Sequence, residues 1–218
     1  MLSWLLSRPA GRPLRLLCLG AHSDDIEIGC GGTVLTLLRR HERVAVRWVV
    51  FAAHDVRARE AQMSATAFLE GASERAIDIR QYRDGYFPFV GAQIKDDFEA
   101  IKLDYTPDLV LTHSRDDRHQ DHRLIAELTW NTFRNHMILE YEIPKYDGDL
   151  GQPNFFVPLE PAECSEKMRI ILDCFPSQRS RHWFDEETFR ALMRLRGMEA
   201  NAPSKYAEAF YCRKMVMS

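Results

Sequence analysis

Two short stretches of the chain concentrate side chains that bind metals and transfer protons. The first runs from His22 to Asp25 (His-Ser-Asp-Asp), and the second runs from His119 to His122 (His-Gln-Asp-His). Imidazole nitrogens and carboxylate oxygens are the ligands of catalytic zinc sites, in which three protein groups bind the ion and leave one position for water. The same residue types also act as general acids and bases. These stretches therefore predict a metal-assisted reaction of water.

The spacing within each stretch favours convergence on one ion. His22 and Asp25 are three residues apart in a predicted turn. His119 and His122 are three apart at a predicted helix start, which places both imidazoles on one face. Asp24, which is next to Asp25, is expected to point elsewhere and could take a proton from water as a general base. The residue types thus supply ligands and a base.

Each stretch also has a simpler structural interpretation. An Asp-Asp pair after a strand is commonly a turn or a helix cap, and a His-x-x-His pair on a helix is commonly a solvated face. The glycine-rich segment 29–32 could allow close packing between a strand and its helix, and its spacing is not that of a dinucleotide-binding GxGxxG motif. The metal interpretation is favoured because both stretches follow predicted strands, a coincidence found nowhere else in the sequence.

The elements that must position these residues are predicted from hydrophobic periodicity. The pattern predicts strands over 14–20, 44–53, 75–79, 107–113 and 137–143, and helices over 33–40, 57–69, 90–103 and 119–134. This alternation predicts an α/β fold, a Rossmann-like three-layer αβα sandwich with a mainly parallel central sheet. Ligands of such sheets bind beyond the carboxyl ends of the strands. In a doubly wound order the first and fourth strands lie near each other, so the two stretches are expected to meet.

The second part of the chain has a looser pattern. We expect a single domain over residues 1–218, with a Rossmann-like part at about 14–143 and an irregular, helical cover at about 144–218. The cover is predicted to contain strands at 155–157 and 206–212 and helices at about 161–174 and 185–197. Prolines and glycines between 144 and 161 indicate an irregular connection. We therefore expect the cover to form a layer over the sheet.

Composition excludes several classes of protein. The chain has 218 residues with 29 Lys plus Arg and 32 Asp plus Glu, a net charge of −3, and so lacks the basic excess of a nucleic-acid-binding protein. No apolar run approaches the ~18 residues of a transmembrane segment, and the apolar start, Met1 to Leu6, lacks the basic region of a signal peptide. Five cysteines without a CxxC pair indicate a reduced setting. We expect a cytoplasmic protein with a small-molecule substrate, and homo-oligomerisation is left open.

At these motif residues the sequence resembles the PIG-L/LmbE-like family of zinc-dependent N-deacetylases, which act on N-acetylglucosamine-type substrates. The family's Ala-His-Pro-Asp-Asp motif stands here as Ala21 to Asp25, with Ser23 in place of the proline, and its His-x-Asp-His motif stands as His119 to His122. Ser23 removes no ligand, so we expect the site to survive. Weaker likenesses lie at Arg57 to Glu60, Asp84-Gly85, Ser177-Gln178 and Ala207 to Phe210.

The resemblance implies a role for each motif residue. His22, Asp25 and His122 would bind zinc, with another divalent ion as the alternative, and Asp24 would be the base that activates water. His119 would be a charged imidazole that stabilises the oxyanion and protonates the leaving amine. Asp121 would orient His119 and keep it protonated, since a neighbouring carboxylate raises the pKa of an imidazole.

Three further residues are candidates for contact with the substrate. The resemblance implies that Arg57 and Asp84 grip sugar hydroxyls or a phosphate, and the alternatives are an exposed helix arginine and a turn aspartate. Glu142 ends the fifth predicted strand at the same edge of the sheet and could face the pocket, and the alternative is a solvent-exposed carboxylate at a strand end. His113 is expected to support the metal site by hydrogen bonding.

The resemblance thus implies a metal-dependent hydrolase that removes the N-acetyl group from an N-acetylglucosamine-type amino sugar or its glycoconjugate. The alternatives are an amidase of a thiol–sugar conjugate and a sugar- or nucleotide-binding Rossmann module with a vestigial metal site. The presence of Asp24 and His119 beside the ligands favours an enzyme, because a binding relic has no need of a base and an acid.

Overall fold

A computed structural model describes residues 11–216 of the chain, and the apolar start at Met1 to Leu6 lies outside them. The strands in this part are β1 (Leu14–His22), β2 (Val44–Ala52), β3 (Glu74–Ile79), β4 (Leu109–His113), β5 (Met137–Tyr141), β6 (Phe155–Pro158) and β7 (Ala207–Tyr211). The α-helices are α1 (Asp25–Arg40), α2 (Asp55–Phe68), α3 (Gly91–Asp104), α4 (Gln120–Thr132), α5 (Pro161–Cys174) and α6 (Glu186–Glu199). Short 3-10 turns lie at Phe87–Phe89 and Pro176–Gln178.

The strands form one sheet in the order β3-β2-β1-β4-β5-β7-β6. The first five strands of this order are parallel, and β1 pairs with β4 so that Leu16 is opposite Leu109. The predicted α/β fold with a mainly parallel, doubly wound sheet is therefore confirmed. The cover differs from expectation, since β7 and β6 extend the sheet in antiparallel orientation.

Alternate residues of the central strands face opposite layers of helices. Leu16 and Cys18 of β1 belong to a buried cluster with residues of α1, α2, α5 and α6. Leu17 and Leu19 belong to a second cluster with residues of α3 and α4. A sheet covered on both faces needs apolar residues at consecutive positions, which is why β1 is an almost unbroken apolar run.

Helix α1 begins eight residues earlier than the sequence pattern predicted, at Asp25 rather than at 33. The glycine-rich segment 29–32, which precedes the predicted helix start, is therefore helical. A Cβ atom on Gly29 would lie 2.2 Å from Cδ2 of Tyr141, and one on Gly31 would lie 2.7 Å from Cε1 of Phe68. The glycines let α1 approach these two rings, and this packing outweighs their poor helix propensity.

No helix within residues 11–216 is both long and apolar enough to cross a membrane.

Candidate active site

The pairing of β1 with β4 brings the two motif stretches to the same edge of the sheet. His22 is the last residue of β1, and Asp25 is the first of α1. His119 caps the start of α4, and His122 lies in its first turn. These four side chains line a cavity of about 490 Å³, a size typical of sites for small organic ligands. Its lining includes Ser23, Asp24, His54, Arg57, Asp84, Lys145, Tyr146, Gln178, Arg181 and Trp183.

Three ligand-type side chains point at one position in this cavity. Nδ1 of His22 lies 3.1 Å from Nε2 of His122 and 3.3 Å from Oδ2 of Asp25. Oδ1 of Asp25 lies 3.5 Å from Nε2 of His122. Ligands at zinc–nitrogen or zinc–oxygen distances in a tetrahedral site are about 3.3 Å apart. The spacing of the three groups therefore fits a divalent ion.

Other donors surround the same point. His119 joins His22 and His122 in one set of three ligand atoms within 4.8 Å of one another, and His113 joins Asp25 and His122 in another. The Nε2 atom of His113 accepts a hydrogen bond from the backbone N–H of Ala21 (2.9 Å) and lies 3.2 Å from Oδ2 of Asp25. The buried His113 thus packs behind Asp25.

His122 is held in place by a carboxylate that sequence reasoning missed. Its Nδ1 is 2.9 Å from Oδ2 of Asp117, which leaves Nε2 directed at the cavity. Burial and the neighbouring His113 lower the pKa of His122 to about 4, so the ring is neutral with a free lone pair. An N–H bonded to a carboxylate is the usual support of a metal-binding histidine. Lys145 in turn binds Oδ2 of Asp117 at 2.9 Å.

His22 lies among carboxylates on both sides of its ring. Nε2 is 3.1 Å from Oδ1 of Asp84 and 3.4 Å from Oδ2 of Asp121, while Nδ1 faces Asp25. Burial opposes the charged ring, but Asp25, Asp121 and Asp84 outweigh it and raise the pKa of His22 well above its usual range. This part of the cavity therefore favours a cation.

The carboxylate of Asp121 has different partners from those predicted. It accepts hydrogen bonds from the backbone N–H groups of Gly85 (2.6 Å) and Phe87 (3.1 Å). Among the described residues, no hydrogen bond or ion pair joins this carboxylate to His119. Instead, the backbone N–H of Asp121 donates to Nδ1 of His119 (3.3 Å). Asp121 thus orients the imidazole through its main chain, because the helix start turns the carboxylate towards the loop at 85–87.

His119 also differs from the charged imidazole that the resemblance implied. Burial, and then the neighbouring His22, lower the pKa of His119. Because Nδ1 accepts from the Asp121 backbone, the neutral ring carries its hydrogen on Nε2. His119 is therefore suited to donate an N–H to a bound carbonyl oxygen.

Asp24 lies at the cavity wall in contact with Arg57. Nη2 of Arg57 is 2.9 Å from Oδ2 of Asp24, and Nη1 is 2.9 Å from Oε2 of Glu60. Burial raises the pKa of Asp24, and Arg57 opposes this effect. Arg57 lines the cavity as expected of a substrate contact, but its guanidinium is already bound to two carboxylates.

Of the two acidic candidates for substrate contact, Asp84 lines the cavity and Glu142 does not. Asp84 lines the cavity with a side chain that is 76% exposed. Glu142 lies outside the lining of this cavity, so the expectation that it faces the pocket is wrong. Its carboxylate accepts two hydrogen bonds from Arg196, from Nε at 2.9 Å and Nη2 at 2.8 Å. A buried carboxylate needs such a partner, and this one lies 54 residues away in the sequence.

The remaining wall of the cavity is formed by residues that lie outside the two motif stretches. Lys145 and Tyr146 follow β5, and Gln178, Arg181 and Trp183 follow α5. Trp183 lines the cavity and also packs against Phe184 and Phe189. The likeness at Ser177-Gln178 is the part of the family resemblance that lies on this wall.

Comparison with known families matches residues 17–133, more than half of the chain, to the family described as "PIG-L: GlcNAc-PI de-N-acetylase". Both motif stretches lie inside the matched range.

Solved structures share the whole fold at low sequence identity. A conserved protein from Thermus thermophilus is 21% identical with a TM-score of 0.75, over 94% of this chain and 97% of that one. The N,N'-diacetylchitobiose deacetylase from Pyrococcus horikoshii is 20% identical with a TM-score of 0.66, over 90% and 82%. The 4-carboxy-2-hydroxymuconate hydratase from Pseudomonas putida is 15% identical with a TM-score of 0.71, over 94% and 98%. At these identities the likeness establishes the fold.

Proposed function

Because the chain belongs to the PIG-L family of GlcNAc-PI de-N-acetylases, we propose that it is a metal-dependent hydrolase that removes the N-acetyl group from an N-acetylglucosamine-type amino sugar or its glycoconjugate. Zinc, or another divalent ion, would be held by His22, Asp25 and His122. The observation that carries this proposal is the spacing of 3.1–3.5 Å among these three groups, beside Asp24 and His119, in one cavity.

Each residue has a task that follows from its chemistry. When bound, the ion supplies Lewis acidity, which polarises an amide carbonyl and lowers the pKa of water. Asp24 takes the proton of the attacking water, and Arg57 holds its carboxylate in orientation. His119 donates its Nε2 hydrogen to the carbonyl oxygen, on which negative charge develops. His119 then passes its Nε2 hydrogen to the leaving amine, and the proton that Asp24 took from water returns to Nε2, so that the step balances.

The fold does not select this reaction by itself, because a structural neighbour is a hydratase. What favours amide hydrolysis is the membership of a de-N-acetylase family together with a base, a donor and a ligand set in one cavity. The cavity volume of about 490 Å³ has room for an amino sugar, alone or as part of a glycoconjugate.

The test combines metal content with a substrate panel. Zinc-reconstituted protein is incubated with N-acetylglucosamine, N,N'-diacetylchitobiose, N-acetylglucosaminides and a thiol–sugar conjugate, and released acetate and free amine are measured. We expect about one ion per chain and acetate release from at least one N-acetyl sugar. Asp24→Asn should retain the ion while the rate falls by about 10²–10⁴-fold, and His122→Ala should lose most of the ion. The exposed Asp116→Asn, whose side chain faces Arg213, is the control.

Several results would contradict the proposal. Full activity of metal-free protein would show that the reaction does not need the metal site. A wild-type rate in Asp24→Asn would show that Asp24 is not the base. Sugar binding without turnover of any substrate would identify a binding module. Cleavage of the thiol conjugate without acetate release would identify the other amidase.

A further inference from the structure

Glu60 is a buried carboxylate that the proposed reaction does not use. It lies in α2 and is 4% exposed. Oε1 accepts a hydrogen bond from the backbone N–H of Ser177 (2.8 Å), and Oε2 accepts one from the hydroxyl of Ser177 (2.6 Å). Oε2 also accepts from Nη1 of Arg57 (2.9 Å). Glu60 therefore joins α2 to the turn after α5, which is 117 residues away in the sequence.

Arg57 extends this network to the proposed base. Its two terminal nitrogens bind different carboxylates, Nη1 that of Glu60 and Nη2 that of Asp24, each at 2.9 Å. The guanidinium also lies over the ring of Phe175, 5.2 Å from its centroid. Because a guanidinium is planar and rigid, fixing one nitrogen and one face fixes the direction of the other nitrogen. The position of Glu60 thus sets where Arg57 meets Asp24.

The same network anchors one wall of the cavity. Ser177 is followed by Gln178, Arg181 and Trp183, all of which line the cavity. Backbone hydrogen bonds from Arg181 to Gln178 (2.8 Å) and from Phe184 to Arg181 (3.1 Å) continue the turn from this anchor. The two weak likenesses at Arg57 to Glu60 and at Ser177-Gln178 are therefore parts of one contact.

We propose that Glu60 is a positioning residue, which holds Asp24 in its productive orientation through Arg57 and anchors the cavity wall at 177–183. The inference rests on the proposed function, because Asp24 is the base of that reaction. It assigns to Glu60 and Ser177 a role that the reaction itself does not require, and it makes Arg57 a support of the base.

Replacement of Glu60 by glutamine is the informative change, because it conserves shape. The new amide group would place N–H donors against the donors of Arg57 or Ser177, so that at least one of these contacts is lost. Displacing a catalytic group by about 1 Å from its productive position can reduce a rate by about 10²-fold. For Glu60→Gln we expect kcat to fall by about 10–100-fold with zinc content nearly unchanged, and we expect a smaller rise in KM from the loosened cavity wall.

A double-mutant cycle separates positioning from general support of the fold. In the Asp24→Asn background there is no base to position, so Glu60→Gln should cause little further loss of kcat. Glu60→Asp, which keeps the charge, should recover part of the rate. Glu70→Gln, at an exposed position just after α2, is the matched control and should behave as the wild type. Equal loss in both backgrounds, or a change confined to KM, would overturn the proposal.

Two further measurements do not depend on activity. Trypsin can cut after Arg179 and Arg181, and loosening of the anchor should accelerate these cuts several-fold in Glu60→Gln but not in Glu70→Gln. In crystals of Glu60→Gln, the contact of Arg57 with Asp24 should be lengthened or lost. An unchanged cleavage rate overturns the anchoring, and a retained 2.9 Å contact overturns the positioning. If the wild type hydrolyses no substrate, the proposed function fails, and these two measurements still decide the network.

Discussion

The two histidines proposed as ligands present different nitrogens to the same point. His22 offers Nδ1 and His122 offers Nε2, and the two atoms are 3.1 Å apart. The opposite nitrogen of each ring faces a carboxylate, Asp84 and Asp121 for His22 and Asp117 for His122. Such carboxylates fix the ring and increase the basicity of the ligand nitrogen. Residues outside the proposed ligand set therefore fix the orientation of both histidines.

At Asp117 this arrangement can be tested directly. Asp117→Asn keeps the size of the side chain but removes the charge that faces Nδ1 of His122 at 2.9 Å. We expect the affinity for zinc to fall by about 10–100-fold, measured by competition with a chromophoric chelator. The neighbouring Asp116→Asn is the control, because its exposed carboxylate binds Arg213. Equal zinc affinity in the two variants would show that Asp117 does not support the ligand.

The junction of β1 with α1 places two of the three proposed ligands. His22 ends the strand and Asp25 starts the helix, and Oδ2 of Asp25 accepts a hydrogen bond from the backbone N–H of His22 (2.6 Å). A carboxylate at a helix N-terminus is also stabilised by the helix dipole. The early start of α1 is therefore part of the site geometry, and it depends on the close packing of the glycines that follow.

Gly29 is the strictest test of that packing. Gly29→Ala would place a methyl carbon 2.2 Å from the ring of Tyr141. Overpacking of this kind costs about 1–3 kcal/mol, which exceeds the gain in helix propensity of about 1 kcal/mol. We expect a lower free energy of unfolding in urea. Gly91→Ala at the start of α3, where the nearest atom is 3.7 Å away, should be neutral or stabilising, and similar effects in both variants would refute the packing explanation.

At the scale of the whole molecule, a buried ion pair within the cover forms hydrogen bonds with the backbone of the first helix. Glu208 of β7 accepts hydrogen bonds from the backbone N–H groups of Gly32 (2.8 Å) and Thr33 (2.6 Å). It also binds Nζ of Lys167 in α5 at 2.6 Å, and Lys167 donates to the carbonyl of Ile28 (2.7 Å). Strand β7 and helix α5 thus fix the position of α1, whose first residue is the proposed ligand Asp25.

Removing one member of this pair should destabilise the fold. Glu208→Gln leaves the ammonium of Lys167, which is 1% exposed, without its counter-charge. Loss of one partner of a buried pair costs about 3 kcal/mol or more, which chemical denaturation will detect. Combining Glu208→Gln with Lys167→Met should recover part of this loss, because no charge is then stranded. Glu166→Gln, in an ion pair with the exposed Arg169 on the same helix, is the control, and an equal effect there would contradict the prediction.

The sequence alone predicted the order and type of most elements. It also predicted the two motif stretches and their place at the carboxyl ends of β1 and β4. These features follow from patterns within a few residues of one another. Apolar periodicity reports which face of an element is buried, and the spacing of His22 and Asp25 or of His119 and His122 is local. The family membership and the α/β fold depend on such local patterns, and both are confirmed.

The tertiary structure decided which partner each charged residue has. Glu142 binds Arg196 at a separation of 54 residues, and Glu60 binds Ser177 at a separation of 117. The carboxylate of Asp121 binds the loop at 85–87, 34–36 residues earlier in the chain. A sequence pattern carries no information about such contacts, because they form only when packing brings distant segments together and burial requires each charge to find a partner. For the same reason, the need for a glycine at position 29 of α1 comes from the ring of Tyr141, a residue of β5.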